Sequence, residues 1–341
     1  MCKRILASQT NSEYGVPFYK IGTIGGIPDA YISQELFELY QAKYNYPRKG
    51  EVMITCAGTI GKTIMFDGND SYYQDSNIVW IDNPTNKFDN TFLYHFISKV
   101  DWSKLNTTTI VRIYNDDLRQ LKISYPTLTE QRKISIFLNL LDERIATQIK
   151  IIEKLESLIR GLYERLFNID GAAYIQLGNV AKIQKGQQIN GEELSEIGSY
   201  YVMNGGVVPS GYLEDFNTPA NTISISEGGN SCGYVQYNGV PFWSGGHCYT
   251  LIEPINSFNY KYLFHYLKFK EQSIMALRIG SGLPNIQKKD LERFPILNVS
   301  KEEQDKMACI FDDILDRIIC ERQIALKYEE QKKYLLSNLF I

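Results

Sequence analysis

Two stretches of the chain place an apolar residue at alternating steps of four and three. The first runs Ile134, Leu138, Leu141, Ile145, Gln148, Ile152, Leu155, Ile159, Leu162 and Leu166. The second runs Met307, Phe311, Ile314, Ile318, Glu321, Ala325, Tyr328, Lys332, Leu335 and Leu339. This alternation holds one face of a helix against a partner helix, the seam of a coiled coil. No proline interrupts either stretch, and only Gly161 weakens the first. Thr129 and Ser300 stand where N-caps belong, each with acidic or amide residues in the following turn. Two long helices are predicted, over 129–170 and 300–341, each spanning roughly 55–60 Å. Each stripe has a polar member at the equivalent mid-helix position, Gln148 or Glu321. A lone polar seam residue fixes register at some cost in stability; the other reading turns both slightly off the seam into water. The second stripe has Ala325, Tyr328 and Lys332 where the first has Ile152, Leu155 and Ile159, so the first helix is expected to supply more of the apolar surface.

The two stretches are copies of each other. Glu130-Gln131 through Leu166-Phe167 recurs, shifted by 173 residues, as Glu303-Gln304 through Leu339-Phe340. Phe88 to Ile97 parallels Phe258 to Leu267, and Val52 to Gly61 parallels Ile223 to Gly233. Asp117-Leu118 leads to Pro126 as Asp290-Leu291 leads to Pro295. Before each helix, short β-branched or aromatic runs are cut by Gly, Pro and Asn, the pattern of small twisted sheets with loops. The predicted class is a mixed α/β (α+β) protein. Globular units over 1–128 and 171–299 each lead into a long helix. Paired about a pseudo-twofold axis, the helices form an antiparallel coiled coil, a ruler holding two different units at a fixed separation.

Composition changes this picture in one respect. The chain has 341 residues and a net charge of −3. Residues 1–128 carry 13 basic and 13 acidic side chains, and residues 172–299 carry 9 and 10. No segment is basic overall, so phosphate affinity of the chain alone should be weak, and charge by itself favours a function away from nucleic acid. Six cysteines lie far apart without a Cys-x-x-Cys pair, as in a reduced cytoplasmic protein rather than a disulfide framework or zinc site. No apolar run approaches the roughly 18 residues of a membrane span, and the first residues are too polar for a signal peptide.

Catalytic chemistry is hard to find. Ala57 to Thr63 resembles a phosphate loop, but Cys56 stands where the first glycine is needed. A dinucleotide fingerprint at Gly280-Ser281-Gly282 lacks its third glycine, which is Asn285, and a serine-hydrolase elbow around Ser244 lacks its first, which is Phe242. Of three histidines, His95 and His265 sit at matching apolar positions that suit buried structural roles, and the His247-Cys248 pair has no nearby partner for a metal. The sole Pro-Asp, Pro28-Asp29, lacks the downstream acid-x-Lys of a nuclease, and no Pro-Pro exists for an amino-methyltransferase tetrad. No catalytic or metal site is expected in this chain.

A resemblance covers nearly the whole sequence. The series Tyr201 to Gly206, Ser210 to Tyr212, Ile223 to Ser226, Cys232 to Val235, Phe242-Trp243, Lys261 to Leu263, Gly280-Ser281, Asn285-Ile286, Pro295 and Glu303-Gln304 resembles a target-recognition domain of type I restriction–modification specificity subunits. The first half is similar through Gly50 to Val52, Gly58, Gly61, Asp117-Leu118, Pro126 and Glu130-Gln131. It departs at its start. Tyr174 to Ile183 looks like the family's opening strand, whereas the first half begins near the equivalent of Val180, so its opening strand is expected to be missing.

The resemblance implies a non-catalytic subunit that reads a bipartite, asymmetric double-stranded DNA site through the major groove. Its helices would dock two methyltransferase subunits, which bind S-adenosylmethionine and methylate adenine, and through them motor–nuclease subunits. No cofactor would be bound by this chain. Polar side chains on Gly-rich loops are the candidate DNA readers. In the second unit these are Lys185, Gln187, Gln188, Asn204, Asn230, Ser231, His247, Arg278 and Asn285. In the first they are Lys20, Arg48, Lys49, Lys62, Gln74, Thr108, Thr109 and Arg112. Tyr72, Tyr73 and Trp243 suit core positions better than DNA contacts. Arg144 and Arg317, on the outer helix faces, are either methyltransferase contacts or solvated charges. The rival reading is a coiled-coil scaffold whose globular ends bind proteins. It draws on the missing basic patch and on 24 tyrosines, a residue enriched at protein interfaces.

Overall fold

A computed structural model of the chain describes residues 1–75, 77–102, 112–280, 282 and 284–340. They form two compact units, 1–149 with 323–341 and 150–322, so the boundary falls inside both long helices.

The first unit contains β1 (Val16–Tyr19), β2 (Tyr31–Ile32), α1 (Gln34–Lys43), β3 (Val52–Thr55), β4 (Thr63–Met65), β5 (Tyr72–Tyr73), β6 (Ile78–Ile81), α2 (Asn90–Lys99) and α3 (Asn115–Arg119), and the first part of α4 (Leu128–Phe167). One sheet has the order β4-β3-β6; the other has β2-β1-β5, with β5 parallel to β1.

The second unit contains β7 (Tyr174–Gln176), β8 (Lys182–Lys185), β9 (Tyr200–Met203), β10 (Tyr212–Leu213), β11 (Thr222–Ser226), β12 (Val235–Asn238), β13 (Trp243–Ser244), β14 (Cys248–Ile252), α5 (Tyr260–Phe269), α6 (Glu271–Met275), α7 (Lys288–Glu292) and β15 (Pro295–Leu297), and the first part of α8 (Lys301–Leu339). Its sheets repeat the first unit's plan. The order β10-β9-β13 again has one parallel pair, and β12-β11-β14 is extended by β8. β7 pairs with β15. Among the described residues the first unit has no counterpart of β7 or β8.

The long helices start through a capping box. Ser300 accepts from the Glu303 N–H at 3.3 Å while Glu303 accepts from the Ser300 N–H at 3.1 Å. In the first copy the cap is Thr127, bonded in the same way to Glu130, rather than Thr129. Thr127 is also where the 173-residue shift carries Ser300; Thr129 already lies within the helix. The helix ends at Phe167, three residues short of the expected 170. The structural equivalent of Pro126 is Val299 rather than Pro295, which lies in β15: Gln131 Nε2 donates to the Pro126 carbonyl and Gln304 Nε2 to that of Val299.

Every stripe position is buried or half-buried. Gln148 and Glu321 are buried too, which excludes the reading that points them into water; Glu321 forms an ion pair with Arg317 one turn away. Arg317 therefore has an intrahelical partner. In each unit the helix segments run antiparallel. In the first, Asp142 pairs with Lys332 and Arg144 Nη1 lies 3.5 Å from the Tyr328 hydroxyl. In the second, Glu156 pairs with Arg322 at 2.5 Å and the rings of Tyr163 and Phe311 lie 4.6 Å apart. Near its end the buried face of α4 shifts to Tyr163 and Phe167, off the stripe, because here it also packs on α5 through Tyr266. Burying a phenylalanine such as Phe167 stabilises by about 1.5–3 kcal/mol. Tyr72 and Tyr73 are core residues, and Trp243 is half-buried with its indole N–H 3.3 Å from the Gln187 carbonyl. Among the described residues no helix is long and apolar enough to cross a membrane.

Candidate nucleic-acid interface

In the second unit, strand ends and loops converge on one groove. β11 ends at Ser226 and passes into Glu227-Gly228-Gly229-Asn230-Ser231. β14 begins just after His247, and β8 ends at Lys185. Pairing of β14 with both β11 and β8 puts these ends side by side. The Ser226 hydroxyl donates to the Gly205 carbonyl at 2.7 Å and so ties in the loop after β9. Gly205 has φ +86°, and a Cβ there would lie 3.0 Å from the His247 carbonyl, so glycine lets the two loops close on each other. The chain returns at Pro284 and Asn285, where Gly229 N–H donates to the Pro284 carbonyl at 3.0 Å. The groove between these segments has a volume of about 540 Å³.

Six of the nine candidates from this half line it: Lys185, Asn204, Asn230, Ser231, His247 and Asn285. The Asn204 side chain is committed to structure, since its Oδ1 accepts from the His247 N–H at 3.1 Å. Gln187 and Gln188 are exposed just beyond β8, with Gln187 N–H bonded to the Ser244 carbonyl. Arg278 is exposed on the segment after α6.

The floor of the groove is formed by Glu227, a residue outside the candidates named from the sequence. Glu227 is 8% exposed, and its Oε1 accepts from Lys185 Nζ at 2.6 Å and from the Tyr249 hydroxyl at 3.0 Å. Its Oε2 lies 3.5 Å from His247 Nδ1. Burial, reinforced by the Glu227 carboxylate, pushes the Tyr249 hydroxyl up, so it stays protonated and donates. The available signal was a single acidic residue where a β-branched strand meets two glycines.

The first unit places the corresponding loops on the same framework with different side chains. Cys56 N–H donates to the Asn77 carbonyl and its own carbonyl accepts from Ile113, as Glu227 does with His247 and Ile286. Cys56 therefore occupies the place of Glu227, and Arg112 that of Asn285. The Cys56 thiol is buried and pushed up to about 11 by desolvation, against a lowering influence of Arg112. Lys62 is exposed in the β3–β4 turn, where Gly61, at φ +81°, lies against the Trp102 indole. Lys20 is paired with Asp29 at 3.0 Å, and Gln74 Oε1 accepts from the Ile21 N–H at 3.2 Å, a loop-bracing contact. Arg48 and Lys49 are not brought to this cluster; they precede β3 at its opposite end, roughly 13 Å along the strand. Thr108 and Thr109 lie outside the described residues.

Residues 1–157 and 170–329 match the type I restriction modification DNA specificity domain. The chain belongs to this family. A Haemophilus influenzae protein named as a type I restriction enzyme specificity subunit is 49% identical over 166 residues, covering 49% of this chain and 40% of that protein. Counterparts in Mycoplasma pneumoniae and Mycoplasma genitalium are 37% identical over 122 residues and 32% over 163, covering 35% and 46% of this chain and 32% and 42% of theirs. Each match thus spans less than half of the relative. The crystal structure of a type I S subunit from M. genitalium superposes with a TM-score of 0.73 at 22% identity, over 100% of this chain and 92% of that one. A second structure, described for assembly and conformational transition of the type I system, gives 0.55 at 17%, over 96% and 91%. The specificity-domain fold is shared across these chains although few side chains are.

Proposed function

We propose that the chain is the DNA-reading subunit of a type I restriction–modification complex. Each unit reads one half of a split, asymmetric site. The long helices dock two adenine methyltransferase subunits and, through them, motor–nuclease subunits. S-adenosylmethionine binds on the methyltransferase, chemistry belongs to the partners, and the complex works in the cytoplasm. The observation that carries this reading is the pair of loop clusters on one strand framework with unlike chemistry, Glu227 and Asn285 in one unit against Cys56 and Arg112 in the other. Equal frameworks suit equal docking on duplex DNA, and unlike side chains suit unlike half-sites. The near-neutral charge fits a reader that leaves much of the phosphate contact to its partners.

The test is co-expression with its methyltransferase followed by genome-wide mapping of methylated adenines. A split motif that vanishes without this chain is expected. Methylation that is absent, or unchanged without the chain, despite a stable complex would overturn the proposal.

A further inference from the structure

Glu227 is an unusual residue to find on a surface that meets DNA, because phosphates repel a carboxylate. Its position is nevertheless built. Lys185 and the Tyr249 hydroxyl both donate to Oε1. The side chain is 11% exposed, and that fraction opens into the groove. Among the described residues Oε2 accepts no hydrogen bond, and the Nδ1 of the His247 imidazole stands 3.5 Å away. Lys185 is half-exposed and spends one of its three N–H groups on Glu227, leaving the others for the groove. The floor therefore presents a donor and an acceptor side by side.

Only cytosine N4 and adenine N6 offer hydrogen-bond donors in the major groove. Adenine carries the N7 acceptor on the same edge, which repels a carboxylate. Cytosine does not, and in the C·G pair its amino group lies next to guanine O6, an acceptor suited to an ammonium. We propose that the Lys185–Glu227 pair reads one C·G base pair in the half-site of the second unit. Glu227 Oε2 accepts from cytosine N4, and Lys185 Nζ donates to guanine O6. This rests on the DNA-reading function proposed above. The first unit, with Cys56 at the equivalent place, has no such pair and reads its half-site by other means.

The test compares methylated motifs from the full complex carrying wild-type chain, Glu227→Gln, Lys185→Met and Tyr249→Phe. Glu227→Gln and Lys185→Met should make the same single C·G position degenerate, with preference there falling roughly tenfold, while the rest of the motif persists. An intact first half-site reports that each variant folds and assembles. Tyr249→Phe, which removes one of the two bonds that position the carboxylate, should weaken the preference at that same position and at no other. Relaxation at two different positions, even weakening of the whole second half-site, or an unaltered motif in both variants would each overturn the proposal. A wild-type complex without a split motif would instead overturn the underlying reading, before any variant is scored.

Discussion

The side-chain carbonyl of Gln304 accepts a hydrogen bond of 2.7 Å from the backbone N–H of Asn259. Gln131 does the same for Asp89 at 2.9 Å. Asn259 and Asp89 are the N-caps of α5 and α2, so one buried amide links the start of each long helix to the start of the helix packed on it. The preceding glutamate caps the long helix, and the glutamine carries the tertiary bond. The repeated Glu-Gln pair is thus a joint between two helix starts.

Gln304→Ala should leave the Asn259 N–H and the Val299 carbonyl without their partner. A cost of about 1–3 kcal/mol is expected, read as a lower urea midpoint. An unaltered midpoint would mean that water takes both places.

Stability should fall as pH drops. Burial is the main influence holding the imidazoles of His95 and His265 below their ordinary value of 6.5, and it outweighs Asn139 and Asp312, which pull the other way. The unfolded chain takes up these protons near pH 6.5, the folded one only lower. The stabilisation is complete above pH 6.5 and is lost as pH falls through the folded-state value. Unfolding at pH 7.5 and 5.5 should show this decline, flattened in a His95→Gln, His265→Gln double variant; an identical decline would assign it to carboxylates.

Thiol reactivity should divide sharply. Cys309 and Cys320 are exposed, whereas burial pushes Cys2, Cys56 and Cys248 up to about 11 and raises Cys232 as well. Iodoacetamide at pH 7.5 should label the first two and spare the other four, by mass spectrometry of native protein. Labelling of Cys56 would contradict its buried setting.

Matched four-residue insertions after Ile149 and Arg322 would lengthen both helices by about one turn, roughly 6 Å. In the complex this should widen the gap between half-sites by about two base pairs and leave both half-sites readable. An unchanged gap would remove the helices from the spacing mechanism.

The sequence by itself determined the repeat, the two long helices and their seam. These follow from local periodicity, since a three-four alternation has one helical solution whatever surrounds it. It also picked out six of the polar side chains that line the second unit's groove, because polar residues flanking glycines at strand ends gather in loops. Tertiary structure decided the rest. Gln148 and Glu321 lie inside a seam that the pattern alone left open to water. His265 is held by Tyr163 at 2.8 Å and Asp312 at 2.9 Å, while His95 meets Asn139 at 3.0 Å. Arg48 and Lys49 fall at the wrong end of β3, and Gln74 braces a loop. Glu227 became a candidate only when three strands placed Lys185, Tyr249 and His247 around it, from positions up to 42 residues away. Which polar groups face one another depends on strand register and loop closure, and composition carries neither.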